Sequence, residues 1–278
     1  MKRFSAHDLR QYHAHFWLLC CTLVVLFPFV WIALSAFKTE IDIAMSRVLF
    51  TPTLANFDEL LASKSSVFAH NFWNSVIVAG ATTVLACSAA TLAAHSIRRH
   101  GWPVWFTSAL LLFSMVYFMA PQMTLVGSWY ILFRLIGIYD TRFSLVLAHT
   151  TILLPMALWL MANFLRDVPV ELEEAAAIDG CSPSAIFFKV VLPLVVPGLL
   201  SPGVPIFSFS WNEFPVSLTL STKASATVPV AIAKYSTEFE TQHGAMSAAA
   251  VLSTVPALLM MVVALRYIVR GLTSGALK

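Results

Sequence analysis

Glu213 is a carboxylate set inside a long apolar run, in the stretch Ser210-Trp211-Asn212-Glu213-Phe214. An acid in such surroundings is costly and is turned towards protein or a water-filled cavity. Two readings fit it: a channel-lining group near a translocated solute, with Trp211 and Asn212 beside it, or an interfacial residue hydrogen-bonded to a neighbouring helix. His149 is the only titratable group of another apolar run and is open to the same two readings, since a single His in a span often bonds across helices. The acids are densest in Arg166–Pro197, which holds Asp167, Glu171, Glu173, Glu174 and Asp179 among the chain's 14 acidic residues. No His, Asp or Glu cluster has the spacing of a metal set or a catalytic triad. No GxxxxGK[ST] loop is present to hold a nucleotide. These residues offer binding and helix-end electrostatics, not bond-making chemistry.

The elements that must position them are membrane helices. Of 278 residues, 59% are hydrophobic and 11% are charged. A soluble domain carries about 25% charged residues, and the mean hydropathy here is +0.80. The net charge of +3 gives no reason to invoke nucleic acid. Cys20, Cys21, Cys87 and Cys181 read as small buried residues with neither a disulfide frame nor a metal site. The predicted fold is all-α, with spans at about 16–37, 71–94, 103–126, 143–165, 192–220 and 247–265. The first would reach roughly 33 Å at 1.5 Å per residue, enough to cross a bilayer. It is followed by no small-residue cleavage pattern, so it reads as an anchor that stays. Residues 1–15 form a basic head and 269–278 a tail. Six spans put both termini on one side. The head, Arg98-Arg99 and the Arg266–Lys278 tail all fall there, which makes that side cytoplasmic. The acidic stretch 166–191 falls on the same side by count. The loops 38–70, 127–142 and 217–246 fall outside.

The acidic stretch reads as two short helices and a turn. Asp167 can cap a helix starting near Pro169, with Glu171, Glu173 and Glu174 at the positive end of its dipole. Gly180 can take the left-handed conformation that stops a helix, and Ser182-Pro183 can restart one. Leu172, Ala175, Ala176 and Asp179 share one small, flat face that a second surface can approach closely. Further on, Pro193, Pro197-Gly198, Pro202-Gly203 and Pro205 crowd the fifth span, which should be kinked or start late.

Glu174-Ala175-Ala176, Ile178-Asp179-Gly180, Leu192-Pro193 and Pro197-Gly198 together resemble the EAA signature of permease subunits in bacterial ATP-binding-cassette (ABC) importers, in the carbohydrate-uptake, maltose-permease branch. Trp211-Asn212-Glu213-Phe214 and the end of the chain, Gly271 to Lys278, are similar to further patterns of that branch. Pro202 and Pro205 depart from it. The resemblance implies a coupling helix in the loop between the fourth and fifth spans, with Glu171, Glu174, Ala175, Ala176, Asp179, Gly180, Leu192 and Pro193 serving the ATPase contact. It implies that Gly271, Thr273 and Ser274 belong to a tail at the ATPase interface, and that loop 217–246 reaches a solute-binding protein; a solvated loop is equally compatible with the residues. Implied partners are a second permease subunit in a heterodimer, an ATPase dimer carrying ATP and Mg, a periplasmic or lipid-anchored binding protein, a carbohydrate-like solute and the lipid of the bacterial inner membrane. The chain itself would bind no cofactor. A stand-alone secondary transporter or channel is the alternative, but inverted repeats and several intramembrane charges, which such a chain shows, are not seen.

Overall fold

The computed structural model describes residues 6–63, 66–236 and 241–275, with side chains at 11, 13–63, 66–196, 198–236, 241–262 and 265. Apart from a single bridge between Ser236 and Thr241, the described elements are helical. In chain order they are α1 (Ala6–Ser35), α2 (Glu40–Ala44), α3 (Ala55–Leu61), α4 (Phe68–Arg99), α5 (Val104–Met119), α6 (Met123–Leu135) and α7 (Arg142–Arg166). Then come α8 (Glu171–Ile178), α9 (Pro183–Ile186), a π turn (Phe187–Val191), α10 (Leu192–Val195), a 3₁₀ turn (Val196–Leu199), α11 (Leu200–Asn212), α12 (Pro215–Leu220), α13 (Val228–Ala233) and α14 (His243–Gly275).

Four segments are long and apolar enough to cross a membrane: His13–Ser35, Phe68–Arg99, Arg142–Arg166 and His243–Val262. Two bent pairs raise the number to as many as six if each counts as one span. The expected third span, 103–126, is one of these pairs. Its helix stops at Met119 and α6 leaves at 92°. Pro121 lies at the corner, where it offers no N–H to continue α5 but accepts from the amide and hydroxyl of Thr124 to start α6. The expected fifth span, 192–220, is the other. It starts at Pro183, bends by 75° between Val195 and Leu200, and stops at Asn212.

The chain forms two compact units, Met1–Ala69 with Ile232–Thr254, and His70–Ala231 with Val255–Lys278. In the first, 38–63 is not a solvated loop. Lys38 is buried, its ammonium donating to the Arg47 carbonyl at 2.8 Å and lying over the rings of Trp31 and Phe50 at 4.4 and 4.9 Å. Thr39 caps α2 by accepting from the Asp42 amide. Asn56 donates to the carbonyls of Ala36 and Lys38, and Glu40 accepts from the Gly244 amide at 2.7 Å. A Cβ on Gly244 would stand 2.6 Å from the Asn56 side chain, so that approach requires glycine.

In the second unit α7 is the most buried helix. Leu145, Ala148, Ile152, Leu153, Ala157, Leu158, Met161 and Leu165 make its core. Ala86, Ala90 and Ala94 put a small, fully covered stripe of α4 into the same core. Small residues at this spacing let helix backbones close up, which gains packing where lipid provides no hydrophobic drive between helices. The cysteines differ from expectation in their burial: only Cys87 is buried, Cys20 is half-buried, and Cys21 and Cys181 are exposed.

Candidate functional site

The acidic stretch folds as two short helices, with one difference at its start. Asp167 does not cap α8. Helix α7 runs on to Arg166 and takes Asp167 as its C-terminal residue, and α8 begins at Glu171 without a side-chain cap. The stop follows expectation. Gly180 has φ +82°, and the amides of Gly180 and Cys181 return to the carbonyls of Ala177 and Ala176, a Schellman closure. Ser182 then accepts from the Ala185 amide with Pro183 in the first turn of α9. Glu171, Leu172, Glu174, Ala175, Asp179 and Gly180 are exposed and Ala176 is half-buried. Ile178, which belongs to the signature but not to the flat face read from the spacing, is 87% exposed. Leu192 is half-buried and Pro193 is exposed. Pro193 has no N–H for the Lys189 carbonyl, and the backbone before it widens into the π turn Phe187–Val191.

The acid that is engaged is one the motif passed over. Glu173 is buried, and its carboxylate takes both prongs of the Arg99 guanidinium, Nε to Oε2 at 2.7 Å and Nη2 to Oε1. His95 Nε2 lies 3.3 Å from Oε2. One turn on, Arg98 donates to the Val168 carbonyl at 2.5 Å, and the ring of His95 meets Phe187 edge-on at 5.1 Å. The last turn of α4 thus touches the linker before α8, α8 itself and the start of the π turn. Fork-to-fork pairing of Arg with a carboxylate is geometrically specific as well as strong.

Glu213 lies outside any helix. Helix α11 ends at Asn212, Glu213 is extended, and its carboxylate caps the next helix by accepting from Val216 N, Ser217 N and Ser217 Oγ, each at 2.8 Å. His149 Nε2 stands 3.3 Å from the same carboxylate and Nδ1 is 2.8 Å from Ser210 Oγ. The interior pair predicted separately in two spans is therefore one network, buried within this chain. Trp211 stacks on Phe207 and meets Phe72 edge-on in its own cluster, 3% exposed. Asn212 is exposed and donates to the Ser208 carbonyl. Above this, Gly198 lies under Phe164, whose ring a Cβ would meet at 2.1 Å.

Sequence reasoning missed Asp140. Its carboxylate accepts from Thr222 N at 2.8 Å, Ser225 N at 3.1 Å, Ser225 Oγ at 2.8 Å, Ala224 N at 3.3 Å and the Thr222 hydroxyl. Burial pushes this acid up, but the Thr222, Ser225 and Ala224 donors outweigh it and hold it at about 2. Asn74 secures the same segment from α4, donating to the carbonyls of Ala224 and Ala226 while accepting from Arg142 at 2.6 Å. The expected outer loop 217–246 is thus largely built structure: Ser225, Ala226 and Thr227 are buried and α13 follows. Glu238 and Glu240 lie outside the described residues. Among the described residues no three His, Cys, Asp or Glu side chains are grouped to hold a metal.

The family of binding-protein-dependent transport system inner membrane components matches residues 86–274. The chain belongs to that family. The permease is 34% identical over 275 residues to the trehalose transport system permease protein SugB of Mycobacterium tuberculosis, covering 95% of this chain and 98% of that one. It is 33% identical to the trehalose/maltose transport system permease protein MalG of Thermococcus litoralis, covering 92% of each. Its fold is shared by a chain in the crystal structure of a bacterial ABC transporter involved in the import of the acidic polysaccharide alginate, with a TM-score of 0.75 over 96% of this chain and 99% of that chain at 19% identity. The permease is therefore a multi-pass membrane subunit, and ATP hydrolysis in such importers belongs to a separate ATPase. The family match covers the acidic loop, the Glu213 network and the end of α14. That helix continues through Gly271, Thr273 and Ser274, so the first residues of the expected tail have a helical backbone; their side chains lie outside the described residues.

Proposed function

We propose that this permease forms one half of a six-span channel that imports a carbohydrate or carbohydrate-like solute (a sugar, polyol, glycosyl-glycerol or anionic sugar derivative) through the bacterial inner membrane. Both termini and the loop 166–191 face the cytoplasm. A second permease completes the channel as a heterodimer, a periplasmic or lipid-anchored binding protein delivers the solute, and an ATPase dimer with its ATP and Mg supplies the work. No cofactor binds this chain. The solute class is supported by the identity to trehalose and trehalose/maltose permeases along nearly the whole chain.

The observation that carries the coupling reading is the exposed face of the acidic loop. Leu172, Ala175 and Ile178, with Glu171, Glu174 and Asp179 around them, stay uncovered although α8 is fastened from behind through Glu173. An apolar centre ringed by charge fits a protein groove. ATP-driven closure of the ATPase pair moves this loop, and the loop turns the channel. Gly271, Thr273 and Ser274 extend the same cytoplasmic contact, while His149 and Glu213 set the helix break beside the solute path, with Trp211 and Asn212 flanking it. The test is transport and ATPase retention in Glu174→Lys and Gly180→Asp expressed at wild-type level. Loss of the ATPase or of uptake supports the reading; normal uptake in both refutes it.

A further inference from the structure

The last turn of α4 and the acidic loop are joined by contacts that the docking face does not need. Arg99 forks onto Glu173, His95 stands on the same carboxylate and on Phe187, and Arg98 holds the Val168 carbonyl. The groups are largely enclosed: the side chains of Arg99, His95 and Glu173 are 14%, 16% and 10% exposed. The polar contacts join residues 70 to 78 positions apart. The three grips reach the loop before, within and after α8. A loop gripped at one point can pivot about it; a loop gripped on both sides of its helix has to carry the gripping helix along when pushed.

We propose that His95, Arg98 and Arg99 form a clamp that makes α4 a transmission rod for the coupling loop, with Glu173 its positioning residue. This rests on the coupling reading above and adds a route to it: motion of α8 passes directly into α4, whose Ala86–Ala90–Ala94 stripe is packed in the core beside α7, as well as along the chain into α7 and α10. Small shifts at such a contact become large ones when the packed elements have discrete arrangements. Glu173 faces away from the docking surface, so its removal takes away the one charged grip on α8 itself and weakens the link to α4 while leaving the ATPase contact intact. Glu174, its exposed neighbour, does the reverse.

The test uses the complete importer, purified through a tag on this chain and measured in proteoliposomes for solute uptake per ATP hydrolysed. Glu173→Gln should retain the ATPase subunit at the wild-type level and lower uptake per ATP by at least about fivefold, the low end of typical coupling strengths. The exchange Glu173→Arg with Arg99→Glu restores the pair with reversed polarity and should recover most of the coupling. The conservative Arg99→Lys, which keeps the charge and loses the fork, should fall between. Wild-type coupling in Glu173→Gln overturns the proposal. Loss of the ATPase in Glu173→Gln without recovery in the exchange variant also overturns it, because Glu173 is then a folding or docking residue. If the unmodified chain brings no ATPase with it, the importer reading itself fails, separately from the clamp.

Discussion

Replacing Glu213 by Ala separates the two roles its sequence position allows. The carboxylate fills two N–H groups at the start of α12, Val216 and Ser217, and both residues are fully buried. Removing it leaves two buried donors without a partner, at about 1–3 kcal/mol each, so about 2–6 kcal/mol in total. The Ser217 hydroxyl is not stranded, because His149 Nε2 is 3.2 Å away. Glu213→Gln keeps one acceptor oxygen and turns an amide N–H₂ towards the other donor, so it should cost about half as much as Ala. His149→Ala should cost less than Glu213→Ala and should not add to it, since the two share a network. The assay is equilibrium unfolding of the purified permease in mixed micelles, with uptake measured in parallel. If Glu213→Ala stays within about 0.5 kcal/mol of wild type, as surface substitutions do, the carboxylate is solvated and the capping account is wrong. Loss of uptake at unchanged stability would then make it a channel group.

Other positions lead to equally definite outcomes. Gly198→Ala drives a Cβ into the Phe164 ring and should destabilise by about 1–3 kcal/mol, with Phe164→Leu in the same chain restoring part of the loss in a thermal-unfolding assay. Gly180→Ala meets no atom within 4 Å, so it brings no clash, only the left-handed backbone at about 1–2 kcal/mol; its uptake should stay well above that of Gly180→Asp. Asp140 is held below its ordinary 3.8, at about 2, so its contribution to stability is complete above pH 4 and is lost as pH falls from about 4 towards 2. The protection factors of the Thr222, Ala224 and Ser225 amides, with exchange referred to its intrinsic rate at each pH, should fall across that window in wild type and be low already at neutral pH in Asp140→Ala.

The turn at Gly180-Cys181-Ser182-Pro183 was legible because its chemistry is local: a glycine that tolerates positive φ, then a hydroxyl cap and a proline. Asp167 was misread because the same local logic favours a cap at either of two helices, and the length of α7 decided. Three acids in four positions, Glu171, Glu173 and Glu174, look alike in sequence; only the phase of α8 against α4 selects Glu173 for burial. Asp140 and Lys38 show a second limit. The partners of Asp140 lie 82 to 85 residues away, and an aromatic cage around a lysine has no spacing signature. The prolines announced a broken helix, but of the four only Pro197 falls at the bend. Pro202 and Pro205 sit inside α11, while the bend falls at 196–199, where Gly198 lets Phe164 close in.

The most direct measurement is purification of the tagged chain from detergent-solubilised membranes, with every co-eluting protein identified and ATPase activity measured. The account predicts that a second permease and an ATP-hydrolysing subunit come with it, and that the assembly moves solute in liposomes only when ATP is supplied. A chain that purifies alone and moves solute without ATP would contradict it.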